Sequence, residues 1–314
     1  MAKINIIPDA QELWRGIGGH FDSLTQVLSE FIDNSISNFD LHNDELSLTT
    51  ICIEVQEIDC KNNKKYLIRI EDTGTGISHI EKALTIGNRD IRETPLNEHG
   101  FGIKHALATA DPDNSSWKIY TRTKEDIANN TYKVISAPYS FDMEVEEHHD
   151  RWPGKMGEKT GTIIEFLCSE ELFNTLQEGI RGKAAYKKCI EYLIEDLGYV
   201  YANFINRGIN IKVKDILTGS VYSVEAVKPE WVDFYKDGTG TEMVDLGEGD
   251  VEIKYEYGEM KESKLKKYYK RNQSTSGLEI RINGRLIMDN VFKDVWGNRG
   301  TSIIQSFSIQ SKYN

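Results

Sequence analysis

The stretch SLTQVLSEFIDNSIS, from Ser23 to Ser37, decides the fold predicted for this protein. Its apolar residues recur at steps of three and four, which is the stripe of an amphipathic α-helix packed on a core. Glu30 and Asn34 stand four residues apart, so their side chains share one face of that helix. A carboxylate can polarise water, and a neutral amide oxygen can ligate Mg²⁺. Many surface helices carry such a pair, so the rest of the chain decides its meaning.

Composition bounds the class of protein. The chain has 314 residues, 39% hydrophobic and 28% charged, which is typical of a globular protein long enough for two domains. Its net charge of −12 argues against binding nucleic acid over the whole surface, although a local basic patch stays open. The four cysteines form no C-x-x-C pair, so we expect reduced thiols. Without an apolar run of membrane-spanning length or a signal peptide, a cytoplasmic location is expected.

A second motif follows a predicted hairpin. Residues 50–55 alternate as a half-buried strand, and residues 66–70 form the returning strand. That strand runs into the sequence Asp72-Thr73-Gly74-Thr75-Gly76. Glycines let the backbone turn sharply and approach a flat ligand, and the aspartate can then accept a hydrogen bond from an exocyclic amine. A plain Asp-Gly loop is the alternative.

A third motif lies at the end of a long polar stretch, residues 79–99. A segment of this length inside a domain is usually functional or mobile. It leads into a glycine-rich turn that opens a predicted helix, with the sequence Gly100-Phe101-Gly102-Ile103-Lys104. The N–H groups and dipole of a helix N-terminus favour phosphate, and the lysine adds charge. The glycine pattern alone is a weak motif.

Further strands are predicted at 117–122, 132–135 and 160–166. The charged segment 138–159 carries His148, His149 and Asp150, which invite a metal-site interpretation. We favour a solvated loop, because the helix-strand context and the further ligands of a metal site are absent.

The order of the motifs resembles the GHKL ATPase superfamily, which groups type II topoisomerase subunits, heat-shock chaperone ATPases, histidine kinases and MutL-type repair proteins. The chain has Glu-x-x-Asp-Asn on a helix, Asp-x-Gly-x-Gly after a strand, Gly-x-Gly-x-Lys after a long lid, and Gly-Thr on a late strand. The match runs from residue 20 to about residue 168 and looks closest to the MORC-like branch. It implies an α+β protein that begins with an α/β sandwich, in which ATP lies between helices and lid.

The resemblance implies roles for the helix and the lid. Glu30 is expected to be the general base that activates the attacking water, Asn34 the Mg²⁺ ligand, and Asp33 a group that orients its neighbours. The lid end is expected to hold the β- and γ-phosphates through Gly100, Phe101, Gly102, Ile103 and Lys104. Asn97 stands where the family usually has the first lid glycine. Asparagine tolerates the left-handed conformation, so the turn can survive.

The resemblance also implies an adenine site. Asp72 is expected to read adenine, with Gly74 and Gly76 shaping its loop and Thr162 supporting it through a shared water. The implied design differs from a P-loop protein, because no Gly-x-x-x-x-Gly-Lys-Ser/Thr sequence occurs in the chain.

Two domains are predicted, residues 1–168 as the ATP-binding domain and residues 169–314 as a helical linker with a partial transducer domain. The second domain has helical spacing over residues 186–201 and strands predicted at 209–213, 220–224 and 251–255. Residues 277–287 then predict two strands joined by an Asn-Gly turn. This hairpin resembles the Asn-Gly-Arg hairpin of the ribosomal-protein-S5-like transducer domain of topoisomerase, MutL and MORC proteins. Histidine kinases lack that domain.

Residues 261–271 form a basic run in an acidic protein. One interpretation is a solvated strand edge or loop. The other is a surface for phosphate or nucleic acid, with Tyr268 and Tyr269 as stacking rings.

The predicted turnover is slow. In the relatives a lysine that touches the γ-phosphate follows the hairpin by a few dozen residues, whereas this chain stops at Asn314. We expect that the transducer domain is incomplete here or that another subunit supplies the cation, with Lys270, Arg271 and Lys293 as weaker substitutes. Such a contact to the transferring phosphoryl group is worth on the order of a hundredfold in rate.

We therefore predict Mg²⁺-dependent ATP binding and slow hydrolysis, with nucleotide-driven lid closure and homodimerisation acting as a clamp or switch. DNA-related processes and anti-phage defence both use nucleotide-driven clamps or switches of this kind. The alternative is a nucleotide-gated interaction module, without useful turnover, for a partner nuclease or DNA.

Overall fold

The computed structural model describes residues 9–41, 49–60, 63–86, 101–157, 159–178, 182, 184–232, 238–245, 250–257, 261–270, 277–291 and 306–312. The chain divides into two compact units. The first unit is Met1–Glu178 with Asn210–Ser223, and the second is Gly179–Ile209 with Val224–Asn314. No helix of the described residues is long and apolar enough to cross a membrane.

The first unit is a mixed α/β sandwich, as predicted. Its strands are β1 (Thr50–Cys60), β2 (Asn63–Asp72), β3 (Lys118–Arg122), β4 (Tyr132–Ser136), β5 (Glu146–His148), β6 (Gly161–Ser169), β7 (Asn210–Asp215) and β8 (Val221–Ser223). Its helices are α1 (Ala10–Ile17), α2 (Leu24–Leu41), α3 (Ile80–Leu84), α4 (Gly102–Ala110), α5 (Lys124–Asn129) and α6 (Glu170–Asn174). The strands form one eight-stranded sheet in the order β5-β4-β3-β6-β2-β1-β7-β8.

Neighbouring strands of this sheet run antiparallel, except β1 and β7. Those two run parallel, with Thr50 opposite Asn210. The strands predicted at 209–213 and 220–224 therefore exist, but they extend the first sheet, whereas the sequence placed them in the second domain. Such a pairing depends on tertiary packing and has no local signature, because the two strands are far apart in sequence.

The core of the first unit lies between the sheet and α2. The apolar stripe predicted on this helix is buried, and Leu24, Val27, Leu28, Ile32 and Ile36 are each 0% exposed. On the sheet, alternate residues Ile51, Ile53 and Val55 of β1 are also fully buried. The ring of Phe31 on α2 lies 5.9 Å from that of Phe166 on β6. Burial of these apolar side chains fixes the polar face of α2 relative to the strand ends.

The opposite face of the same strands carries charged residues. Arg69 of β2 donates to Glu71 at 2.8 Å and to Glu165 of β6 at 3.0 Å. Lys214 of β7 donates to Glu54 of β1 at 3.0 Å. Buried charges are stable only when they are paired. These ion pairs therefore stabilise the sheet and need no functional explanation.

The second unit contains α7 (Tyr186–Val200), α8 (Ala202–Asn206) and a five-stranded sheet. Its strands are β9 (Thr239–Asp245), β10 (Asp250–Glu256), β11 (Gly277–Ile282), β12 (Arg285–Val291) and β13 (Ser306–Lys312), in the order β12-β11-β13-β10-β9. The predicted Asn-Gly hairpin is confirmed between β11 and β12. Asn283 and Gly284 both have positive φ, 51° and 93°, as a two-residue hairpin turn requires.

The basic run does not present stacking rings to a nucleic acid. Tyr269 is only 4% exposed and packs in a small core with Tyr199 and Val227. Tyr268 stacks on Tyr199 with ring centroids 3.8 Å apart, and its hydroxyl donates to Asp196 at 2.8 Å. The prediction that these two rings stack on bases is therefore wrong, because both rings are used inside the second unit.

Candidate nucleotide site

The helix α2 brings the predicted catalytic and metal-binding residues to one region. Glu30 and Asn34 lie on the same helical face and are half-buried. Asp33 is 2% exposed, and its role in orienting its neighbours stays a prediction. Because the apolar stripe of α2 is buried in the core, these polar residues lie at the border between the core and the ends of the strands.

Asp72, the last residue of β2, is held by three donors. Its Oδ1 accepts from the backbone N–H of Gly74 at 2.8 Å and of Thr162 at 3.2 Å. Its Oδ2 accepts from the hydroxyl of Ser35 on α2 at 2.9 Å. Burial raises the pKa of Asp72, while these hydrogen bonds favour the ionised form. The backbone N–H of Thr162 therefore contacts Asp72 directly. The predicted contact through a shared water stays a prediction.

Two predicted glycines stand where a side chain would collide with the site. A Cβ at Gly74 would lie 2.8 Å from Oδ1 of Asn38 and 2.9 Å from Oδ1 of Asp72. At Gly76 the backbone φ is +78°, and a Cβ would lie 2.5 Å from the carbonyl oxygen of Arg122. Both positions therefore require glycine, one for close approach and the other for close approach and a positive φ.

Sequence reasoning missed two residues that connect α2 to this loop. Ser35 binds Asp72, as described above, and Asn38 binds Thr75. Oδ1 of Asn38 accepts from the Thr75 N–H at 2.9 Å, and its Nδ2 donates to the Thr75 hydroxyl at 2.9 Å. The signal was present, because Asn38 follows Asn34 by four residues and so continues the same polar face.

The N-terminus of α4 lies against Glu30. A Cβ at Gly102 would lie 2.0 Å from Oε2 of Glu30, so any larger residue here would have to displace this carboxylate. The lid-end residues Phe101 and Ile103 flank this glycine and are partly buried. Gly100 and the departure at Asn97 lie outside the described residues. The first turn of the predicted phosphate seat and the predicted general base thus converge, although the two motifs are far apart in sequence.

Lys104 is placed differently from the other motif residues. It is 1% exposed, and its Nζ donates to the carbonyl oxygens of Ala83 at 2.9 Å and Thr85 at 3.2 Å. These contacts tie α4 to the C-terminal end of α3. A contact between Lys104 and phosphates stays a prediction, and it requires the ammonium group to leave these carbonyls.

Replacing Lys104 with methionine is expected to remove a pH dependence of stability. Burial lowers the pKa of Lys104 from 10.5 to about 8, so between these values the folded protein binds fewer protons than the unfolded chain. The free energy of unfolding of the parent therefore rises with pH across this window, by up to about 3 kcal/mol relative to Lys104→Met. Urea denaturation of both proteins at the two ends of this pH window measures the difference in the free energy of unfolding. Lys118→Met, at an exposed position of β3, is the control, and parallel pH profiles of parent and Lys104→Met would contradict the prediction.

Within the described residues, no group of three or more His, Cys, Asp or Glu side chains could hold a metal ion. His148 belongs to the short edge strand β5, where a loop was expected, and its ring stacks on Tyr132 at 5.2 Å. The assignment of Asn34 as a Mg²⁺ ligand stays a prediction.

The sequence matches no family model and no curated protein. Similar solved structures include the B-subunit of DNA gyrase from Myxococcus xanthus, at 9% identity and a TM-score of 0.45, covering 91% of this chain and 79% of that chain. The 43K ATPase domain of Thermus thermophilus gyrase B, in complex with an aminocoumarin, has 12% identity, a TM-score of 0.41 and coverages of 90% and 75%.

A third similar structure contains the ATPase and transducer domains of DNA topoisomerase II from Balamuthia mandrillaris. It has 14% identity and a TM-score of 0.41, and the match covers 82% of this chain and 58% of that chain.

Proposed function

We propose that this protein is a GHKL-type ATPase, which binds ATP with Mg²⁺ between α2, the end of β2 and the start of α4. The observation that carries the proposal is the convergence of separate motifs. Ser35 of α2 contacts Asp72 of β2, and Gly102 of α4 lies against Glu30 of α2. An accidental occurrence of the motifs in an ordinary α/β protein would not bring them together.

The carboxylate of Asp72 suits adenine. Each carboxylate oxygen accepts about two hydrogen bonds. Oδ1 is used by the N–H groups of Gly74 and Thr162, while Oδ2 has Ser35 as its donor and retains one lone pair. An exocyclic amine can donate to that lone pair. Gly74 has no side chain, so the backbone beside Asp72 can approach a flat base closely.

The start of α4 suits the phosphates. Its first-turn N–H groups carry the positive end of the helix dipole, and Gly102 lets this N-terminus lie directly against Glu30. Bound Mg²⁺ would neutralise developing charge on the phosphates. On the protein side, Asn34 would offer its amide oxygen to the ion, one helical turn beyond Glu30.

Glu30 is proposed to act on water. A carboxylate beside the γ-phosphate can hold a water molecule in line and accept its proton as the oxygen attacks phosphorus. Its carboxylate lies against Gly102 at the N-terminus of α4, which supports the proposal because the phosphates are proposed to bind at this helix end. Asp33, buried behind it, would keep the local geometry.

The finer parts of the proposal are slow turnover, a nucleotide-dependent homodimer, the MORC-like branch, and a role in DNA-related processes or defence. Slow turnover is the part of the proposal that depends on which cation reaches the γ-phosphate. Lys270, one of the weaker substitutes, donates to the carbonyl oxygen of Ser263 at 2.8 Å, while Arg271 and Lys293 lie outside the described residues.

Calorimetric titration with a non-hydrolysable ATP analogue and Mg²⁺ tests the proposal. We expect one site per chain, and light scattering after gel filtration is expected to show a dimer only with the analogue. Titration without Mg²⁺ is the control and is expected to weaken binding. Heats that stay flat as analogue is added would refute the proposal, whereas binding without a change in size would refute only the dimer.

A further inference from the structure

The second unit contains a cavity of about 310 Å³ that the proposed nucleotide site does not use. It is lined by α8, by the segment after β8, and by strands β9, β10 and β11. Cavities of about 300 Å³ and more are the size that small ligands occupy in proteins. Every lining residue belongs to the second unit.

One wall of the cavity is a polar sheet face. Lys254 of β10 and Arg281 of β11 are each paired in register with Gln310 of the intervening strand β13, so they face the same side of the sheet. Thr241 of β9 is opposite Lys254 and joins them. A sheet face that packs only on its own helices is normally apolar. A polar face beside a cavity is instead typical of a site for a polar ligand.

The charges at the centre of this face are already organised. Glu279 of β11 is 6% exposed and accepts from the hydroxyls of Tyr199 at 2.8 Å and Tyr269 at 3.3 Å. Arg281, 3% exposed, donates to the carbonyl oxygens of Tyr199 and Val200 and lies 3.5 Å from Glu279. These contacts hold the wall rigid and offset the negative charge of Glu279.

The remaining charged groups at the cavity favour an anion. Lys228 and Lys254 line it and are exposed, and Glu256 is the one further carboxylate among the lining residues that the structure describes. Lys254 also lies 3.2 Å from Glu252, but exposed pairs of this kind contribute little energy and do not hold the lysine back. The lining therefore carries more positive than negative groups, in a chain of net charge −12.

The amide group of Asn203 on α8 also favours a bound ligand, and this indication does not depend on the charges. Asn203 is one of the lining residues, and its buried Nδ2 has no hydrogen-bond partner among the described residues. A buried donor without a partner destabilises a fold, and an acceptor bound at Asn203 would remove that cost. We propose that this cavity binds a small ligand with a phosphate or carboxylate group, which accepts from Asn203 and is attracted by Lys228 and Lys254.

The test uses the full chain and calorimetry with inorganic phosphate and, separately, acetate as probes. We expect saturable binding of at least one probe. Asn203→Ala is expected to weaken that binding about tenfold, and Lys228→Ala to weaken it by a smaller factor. The matched controls are Asn206→Ala, exposed on the same helix, and Lys261→Ala, an exposed lysine outside the cavity, and both are expected to bind as the parent does.

Two readouts separate this site from alternatives. Asn203→Ala is expected to unfold at the same or a higher temperature than the parent, because it removes an unpartnered donor; an asparagine with a purely structural role would lower that temperature. Saturating the proposed nucleotide site with the non-hydrolysable ATP analogue and Mg²⁺ is expected to leave probe binding unchanged, so the result is independent of that site. Phosphate binding alone assigns a phosphate ester, and acetate binding assigns a carboxylate. No binding of either probe, or equal binding by Asn203→Ala, overturns the proposal.

Discussion

Glu30→Gln is expected to lower the rate of ATP hydrolysis by a factor of about 10² to 10⁴, which is the usual contribution of a positioned general base. Glutamine keeps the size of the side chain beside Gly102 but cannot accept the proton of water. Affinity for ATP is expected to stay within a few fold of the parent, because the adenine contacts at Asp72 are unchanged. Single-turnover phosphate release and calorimetry measure the two quantities.

The same variant is expected to accumulate as the ATP-bound dimer, since the proposed cycle requires hydrolysis to reopen the dimer. Glu81→Gln, at an exposed glutamate on α3, is the control and is expected to behave as the parent does. Hydrolysis by Glu30→Gln at the parental rate would remove the general-base assignment, even if ATP still binds.

Asp72→Asn is expected to weaken binding of the ATP analogue about a hundredfold. The amide either turns its Nδ2 toward the N–H groups of Gly74 and Thr162 or toward the incoming amine, so one donor always meets another donor. A lost hydrogen bond to a charged group together with an unpaired buried donor costs about 3 kcal/mol. Calorimetric titration with the analogue measures the loss.

Tripolyphosphate, which lacks the base, supplies the matched measurement for Asp72→Asn. Its affinity is expected to stay unchanged, because the carboxylate is assigned to adenine and not to phosphate. Asp113→Asn, at an exposed aspartate, controls for the change of charge. Equal analogue binding by Asp72→Asn and the parent would exclude the adenine role. A parallel loss of tripolyphosphate would show a general disturbance of the site.

Local sequence patterns were enough to place the main elements of the first unit. The apolar stripe of α2, the alternating strand residues and the Asp-x-Gly-x-Gly loop each depend on neighbours in the chain, so periodicity and turn chemistry reveal them. Gly74 and Gly76 could be selected for the same reason, since a positive φ or a close approach favours glycine wherever the chain turns. The Asn-Gly hairpin of β11 and β12 is a further local signal.

The sequence alone therefore determined the apolar stripe of α2, the motif residues and the order of the motifs. Tertiary structure alone decided that β7 joins the first sheet, that Lys104 donates to Ala83 and Thr85, and that Tyr268 and Tyr269 pack inside the second unit. It also decided the contact between Ser35 and Asp72. The physical reason is separation along the chain. Turns and helical faces form between near neighbours, whereas these contacts join residues that are distant in sequence, and the local sequence does not identify the partner.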